Sequence, residues 1–182
     1  MTAWQTRSTR VAYENPWITV REDEVARPDG SAGIYGVVEL RHDAVFVVAV
    51  DAQQRVVLVT VDRYTTGPGS IEVPAGGSDG EDPLVAARRE LLEETGLTAR
   101  RWTRIGGMDA INGIARAREH VFLAEGLRET ADAAAHQRAE GIAGVRRLAL
   151  PEVFAAIADG TIRDGETIAA IAIAAIRLGR IR

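Results

Sequence analysis

The stretch EVPAGGSDGEDPLVAARRELLEETGL, residues 72–97, joins a turn rich in glycine and proline to an acidic segment. Asp82 is a residue type that caps helix N-termini, and Pro83 suits the first helical position. Gly96 suits the left-handed position just past a helix C-terminus. The spacing therefore predicts a helix over residues 82–95 that follows directly on the turn.

Three carboxylates share one side of this predicted helix. At about 100° per residue, Glu94 lies roughly 40° from Glu90, and Glu93 lies roughly 60° to its other side, next to Arg89. Like charges four residues apart destabilise a helix by about 0.2–0.5 kcal/mol per pair. A divalent cation such as Mg²⁺ relieves that repulsion because it prefers carboxylate oxygens, so the cluster predicts a metal site. The opposite side is predicted to be buried, and its residues are Leu84, Val85, Leu91 and Leu92.

Composition narrows the possible functions. The net charge is −4 and only 5% of residues are aromatic, which disfavours a nucleic-acid-binding surface. Cysteine and lysine are both absent, which excludes thiol nucleophiles, thiolate zinc sites and a catalytic lysine. The most apolar run, residues 168–176, is shorter than the roughly 20 residues that span a bilayer, and we expect no secretory signal. The chain is therefore predicted to be a cytoplasmic protein that acts on small molecules, without nucleic-acid or membrane partners.

The rest of the chain alternates strand and helix patterns. The first ten residues are predicted to form a loose arm. Residues 44–51 form a continuous apolar run, which is typical of a strand buried on both faces. Asp29-Gly30 marks the turn of a hairpin, the strongest short hairpin signal. Other strands are predicted at 13–25, 33–40, 55–62, 71–74, 99–107, 119–124 and 144–150, loops at 108–118 and 127–141, and helices at 151–160 and 164–179. The predicted class is α/β, with a mixed β-sheet between helices and an N-terminal antiparallel β-hairpin region.

The opening stretch resembles the Nudix box, a motif far more specific than a short glycine pattern. Its matching residues fall in register, with seven residues between the first glutamate and the Arg-Glu pair; they are Glu81, Arg89, Glu90, Leu91, Glu93, Glu94, Gly96 and Leu97. There is one departure. The family usually has five residues between its first glycine and first glutamate, whereas Gly76 leaves four before Glu81, and Ala75 stands at the expected place.

Looser matches extend the resemblance to the ADP-ribose and nucleotide-sugar pyrophosphatase branch of that superfamily. They include YENPWITVREDEV near the N-terminus, HVFLAEGL after the box and DGETIAAIAIA near the C-terminus. The resemblance implies a Nudix fold and hydrolysis of the diphosphate linkage of ADP-ribose or a related nucleotide sugar with Mg²⁺ or Mn²⁺. It also implies a homodimer in which residues 1–42 form a β-strand region for dimerisation, ahead of a Nudix hydrolase domain over residues 43–182.

The same resemblance implies roles for individual residues. The metal ligands would be the Ala75 carbonyl with Glu90, Glu93 and Glu94. Glu81 and Arg89 would orient the metal ligands. The base that takes a proton from the attacking water would be Glu140 or Glu93, and both remain open. The substrate would lie beside Arg63 and Glu72.

Alternatives remain at the level of substrate and role. The first alternative is a hydrolase of nucleoside triphosphates or dinucleoside polyphosphates. The second is a non-catalytic, nucleotide-binding regulator of a partner. The long N-terminal region disfavours the first alternative, and the complete set of box glutamates disfavours the second. Relatives often carry a further acidic ligand where this chain has Ala117, with Glu119 close by on the next strand.

Overall fold

The computed structural model describes residues 3–130 and 134–181. These residues form eleven strands and four helices, and the two sheets they build share no strand. The strands are β1 (Gln5–Glu14), β2 (Ile18–Ala26), β3 (Ala32–Leu40), β4 (Ala44–Val50), β5 (Arg55–Arg63), β6 (Gly67–Glu72), β7 (Ala75–Gly77), β8 (Leu97–Asp109), β9 (Ala115–Arg116), β10 (Arg118–Glu129) and β11 (Ile142–Ala149). The helices are α1 (Pro83–Thr95), α2 (Ala134–Ala139), α3 (Leu150–Ala158) and α4 (Gly165–Arg177).

The N-terminal sheet has the strand order β1-β2-β3-β9. Strands β2 and β3 form the predicted antiparallel hairpin, and Gly30 takes a positive φ of 85° in its turn. The prediction of a loose arm over the first ten residues was wrong for the described part from Gln5 onward, because β1 pairs antiparallel with β2 along its length. Residues 1 and 2 of that prediction lie outside the described residues.

The central sheet has the order β11-β5-β4-β10-β8, with β6 paired to β5 and β7 paired to β4. It is a mixed sheet, as predicted, because β10 runs parallel to β4 while the other pairs are antiparallel. The apolar run at 44–51 is its central strand, and every residue from Val45 to Val50 is buried. Because alternate side chains of a strand point to opposite faces, this strand contributes to two separate layers of core.

Helices cover both faces of the central sheet. Val45, Val47 and Ala49 pack with Ala87 and Leu91 of α1 on one face. On the other face, the alternate residues of β4 pack against α3 and α4. The α/β class with a sheet between helices is therefore confirmed.

Three local predictions need correction. Strand β6 begins at Gly67, ahead of the strand predicted at 71–74, because its backbone pairs with β5 from there on. The predicted loop at 127–141 contains the end of β10 and helix α2, and its residues 131–133 lie outside the described residues. Val85 faces solvent with 49% exposure, so the apolar side of α1 is narrower than predicted.

None of the described helices has the length and apolar character that a membrane crossing requires.

Candidate metal centre and adjoining cleft

Helix α1 begins and ends where its capping residues predict. The Asp82 side chain accepts a hydrogen bond from the Leu84 amide at 2.9 Å, and Pro83 occupies the first turn. Gly96 ends the helix in the left-handed conformation, and its amide donates to the Leu92 carbonyl at 2.8 Å. These caps fix where the helix begins and ends, and the packing of Ala87 and Leu91 on the sheet sets which carboxylates face it.

The carboxylates face inward rather than toward bulk water. Glu90 and Glu94 are only 5% and 3% exposed. The Ala75 amide on β7 donates to Glu94 Oε2 at 3.0 Å, which ties the helix to the strand. Glu90 lies directly over Gly76, where a Cβ would clash with its carboxylate. The close approach of strand and helix therefore leaves no room for a Cβ at position 76 unless the Glu90 carboxylate moves.

Arg89 holds the acidic groups together from one side. Its guanidinium donates to Glu81 at 3.1 Å, to Glu90 at 2.8 Å and to Glu93 at 3.3 Å. It also donates to the Gly77 carbonyl at 2.9 Å. Burial of the guanidinium lowers the pKa of Arg89, but the bonds to these carboxylates outweigh burial and raise it overall. Arg89 therefore orients three of the predicted site residues at once.

One arginine does not compensate the buried charge. Burial, followed by repulsion from Glu140 and Glu93, raises the pKa of Glu90 to about 7, against the opposing effect of Arg89. Burial and the charge on Glu90 raise the pKa of Glu94 to about 9. Both shifts mean that burial in these surroundings disfavours the charged carboxylates. A divalent cation would reverse that preference.

Glu140 joins this cluster from a different element. It follows α2, and oxygens of Glu90, Glu93 and Glu140 all lie within 4.8 Å of one another. The sequence-predicted residues Glu90, Glu93 and Glu140 are thus brought together across 50 positions of chain. Their hard oxygen donors fit Mg²⁺ or Mn²⁺.

Arg63 and Glu72 form an ion pair at the ends of β5 and β6. Arg63 Nε donates to Glu72 Oε1 at 3.1 Å, and a second nitrogen donates to Oε2. Burial alone would raise the pKa of Glu72, but hydrogen bonds from Arg63 and Ser70 bring it below its ordinary value. The pair lines a cleft of about 1090 Å³ whose wall also includes Ala75 and Gly76. The cleft therefore opens beside the carboxylate cluster.

The structure adds residues to this cleft that the sequence did not predict. Asp164 and Glu166, at the start of α4, line the wall together with Glu119 of β10. Asp164 also caps α4, because its side chain accepts a hydrogen bond from the Thr167 amide at 2.7 Å. No spacing along the chain connects residues 119 and 166, so only the packing of α4 against the sheet brings them to one wall.

Comparison with family models gives two consecutive matches. Residues 4–38 match the model described as nucleoside diphosphate sugar hydrolase N-terminal domain. Residues 40–171 match the NUDIX domain.

Relatives of known function are similar to the chain in sequence, and a solved structure shares its fold. An ADP-ribose pyrophosphatase from Mycobacterium tuberculosis is 36% identical over 135 residues, which cover 73% of this chain and 65% of that one. The chain thus spans a little under two thirds of that relative. A methanol dehydrogenase activator from Bacillus methanolicus is 30% identical over 169 residues, covering 92% of this chain and 90% of the relative. The crystal structure of an ADP compounds hydrolase superposes with a TM-score of 0.83 at 17% identity, covering 98% of this chain and 97% of that one.

Proposed function

The chain belongs to the NUDIX family, and on that premise we propose that it hydrolyses the diphosphate linkage of ADP-ribose or a related nucleotide sugar in a reaction that requires Mg²⁺ or Mn²⁺. The observation that carries the proposal is the convergence of Glu90, Glu93 and Glu140 within 4.8 Å, beside a cleft lined by Arg63. Such a site offers oxygen ligands for a cation and a guanidinium for a phosphate. The product pair from ADP-ribose and water is AMP and ribose 5-phosphate.

Glu90, Glu93 and Glu94 would hold the metal, with the Ala75 carbonyl as the backbone ligand. A divalent ion held there would neutralise the charge of the diphosphate and would lower the pKa of the attacking water. The pairing of β7 with β4 and the bond from the Ala75 amide to Glu94 support this assignment, because they place that backbone against the helix.

Arg89 and Glu81 keep the ligands in position. Arg89 touches Glu81, Glu90 and Glu93 together. Its loss would release three carboxylates, and residues that orient metal ligands typically affect affinity or activity about 10–100-fold. We assign Arg89 and Glu81 a positioning role for this reason.

Glu140 is the proposed general base, and Glu93 is its rival. Glu93 is held by Arg89 at 3.3 Å, whereas Glu140 is exposed to solvent and approaches the cluster from another element. A base must reach the attacking water within hydrogen-bond distance, and an exposed carboxylate beside the other two carboxylates of the cluster suits that task.

Arg63 and Glu72 would contact the substrate. Two nitrogens of the planar Arg63 guanidinium donate to the Glu72 carboxylate, and these bonds hold Arg63 in one orientation at the cleft wall. An oriented guanidinium suits a diphosphate oxygen because its charge is permanent and its geometry is rigid.

The N-terminal sheet is the proposed dimerisation region, in residues 1–42, ahead of a catalytic domain in residues 43–182. All of β1 is exposed in the monomer. Trp17 and Ile34 are 70% and 67% exposed, and Val11 and Tyr13 also face solvent. Large apolar side chains exposed on this sheet and in its β1–β2 turn favour burial against a second copy.

Hydrolysis of a substrate panel tests the proposal. The panel contains ADP-ribose, GDP-mannose, UDP-glucose, dinucleotides and nucleoside triphosphates, with Mg²⁺ or Mn²⁺ and a phosphatase that reveals monoester products. The variant Glu94→Gln keeps an oxygen that can accept from the Ala75 amide, so we expect it to fold but to lose activity. Glu129→Gln is the matched control, because Glu129 is exposed at the far end of β10.

A regulatory role is the second candidate. It is favoured by the similarity of this chain to a methanol dehydrogenase activator, in a match that covers 92% of this chain. A folded protein that binds Mg²⁺ but cleaves nothing in the panel would favour regulation over hydrolysis.

A further inference from the structure

Glu119 is a buried carboxyl group with one oxygen left unpaired among the described residues. It is 5% exposed, and its Oε2 makes no hydrogen bond with any part of the chain that the structure describes. A buried polar atom left unpaired costs about 1–3 kcal/mol. Buried polar groups are therefore almost always satisfied, and an exception calls for a ligand or another cause.

The position of Glu119 places this group at the cleft. In the central sheet Glu119 lies between Ala44 of β4 and Met108 of β8. It lines the same cleft as Arg63 and Gly76, so it shares the space beside the carboxylate cluster. The unpaired oxygen thus belongs to a wall that a bound molecule would touch.

The surroundings of Glu119 are acidic. Burial, followed by the charges of Glu166, Asp164 and Asp109, raises the pKa of Glu119 to about 7. Glu166 and Asp164 line the same wall, from the start of α4. The carboxylates of this wall repel phosphate oxygens, which are better placed beside Arg63 or Arg163 of the same cleft. The part of a ligand that suits the wall is uncharged and carries hydrogen-bond donors.

We propose that Glu119 is a specificity-determining residue, which hydrogen-bonds a hydroxyl group of a sugar carried by the nucleoside diphosphate substrate. The inference rests on the proposed function and deepens it by naming the substrate group. A sugar hydroxyl donates to a carboxylate and accepts from a carboxylic acid, so either protonation state of Glu119 makes the bond. A site built to bond a hydroxyl group discriminates against analogues that lack it, because its own polar atom is then left unpaired.

The test compares three substrates that differ in their hydroxyl groups. They are ADP-ribose, the methyl ester of ADP, which lacks the terminal sugar, and 2′-deoxy-ADP-ribose, which lacks one hydroxyl of the nucleoside ribose. Values of kcat/KM are measured for the wild type, Glu119→Leu and Glu119→Gln. Leucine removes the hydrogen-bonding group, whereas glutamine retains a donor and an acceptor.

The expected result is selective. Glu119→Leu lowers kcat/KM for ADP-ribose about tenfold, the effect of one lost hydrogen bond to a charged group. It leaves kcat/KM within about twofold for the methyl ester of ADP, which lacks the terminal sugar, and lowers it about tenfold for 2′-deoxy-ADP-ribose, which retains that sugar. Glu119→Gln retains most of the discrimination. Equal losses on all three substrates would overturn the inference, and so would no loss on any of them.

Stability separates this role from a structural one. Because leucine removes an unpaired buried carboxyl, we expect Glu119→Leu to melt at or above the wild-type temperature. If the leucine variant fails to fold, the comparison of Glu119→Gln with the wild type decides the matter. If the wild type cleaves none of the three compounds, the proposed function fails. The inference is then judged by calorimetric affinities of the same ligands, which must show the same selectivity.

Discussion

The substitution Gly76→Ala tests the contact between β7 and α1. A Cβ at position 76 would lie 2.7 Å even from Oε2, the farther Glu90 oxygen, whereas ordinary contact begins at 3.4 Å. The carboxylate must therefore retreat by at least about 0.7 Å, and its nearer oxygen by more. A displacement near 1 Å at a catalytic group costs about 100-fold in rate. We expect a loss of that size in kcat/KM and weaker Mg²⁺ binding.

The same change should affect stability little. The clashing atoms belong to the end of a flexible side chain, and alanine restricts the unfolded chain by about 0.4–1 kcal/mol in favour of folding. Gly77→Ala is the matched control, because its Cβ would meet only Asp79 Oδ1 at 3.3 Å, on a side chain exposed to solvent. The assay is hydrolysis of ADP-ribose over a Mg²⁺ titration, with thermal melting of each variant. If Gly76→Ala stays within twofold of Gly77→Ala, the argument from close approach is wrong.

Three further predictions follow from the same geometry. Burial raises the pKa values of Glu90 and Glu94 from the ordinary 4.5 to about 7 and about 9 in the folded protein. The metal-free protein should therefore lose stability as the pH rises from about 4.5 to about 9. The stabilisation by added Mg²⁺, measured as a shift in Tm, should grow from pH 5 to pH 9, and a constant shift would contradict the pKa argument. Glu140→Gln should lower kcat about 100-fold or more with little change in KM, and a larger loss in Glu93→Gln would transfer the role of base to Glu93. Trp17→Arg should convert a dimer of twice 19.6 kDa to monomer in light scattering, since charge at an interface core is disfavoured, and an unchanged dimer would place the interface elsewhere.

Local signals made α1 and its carboxylates predictable. The capping residues Asp82, Pro83 and Gly96 act within one turn of themselves, so no tertiary contact was needed to locate the helix ends. The apolar run of β4 identified the central strand for a similar reason, because burial on both faces demands apolar residues throughout.

Features that depend on packing were less predictable. All residues of strand β1 are exposed, so its sequence does not need the alternation of apolar and polar residues that marks a half-buried strand. The strand forms because its backbone pairs with β2. Val85 lies on the predicted apolar arc of α1 but outside the area that the sheet covers, whereas Glu90 and Glu94 lie within it. The wall formed by Glu119, Asp164 and Glu166 depends on where α4 packs, which the residues alone do not specify.

The measurement that bears most directly on the account is product analysis of ADP-ribose hydrolysis. Wild-type protein, Glu94→Gln and the control Glu129→Gln are incubated with ADP-ribose and Mg²⁺, with and without a chelator, and the products are identified by mass spectrometry. The account predicts equal amounts of AMP and ribose 5-phosphate from the wild type and from the control. It predicts neither product from Glu94→Gln or in the presence of the chelator. Cleavage that persists without metal, or in Glu94→Gln, would contradict it.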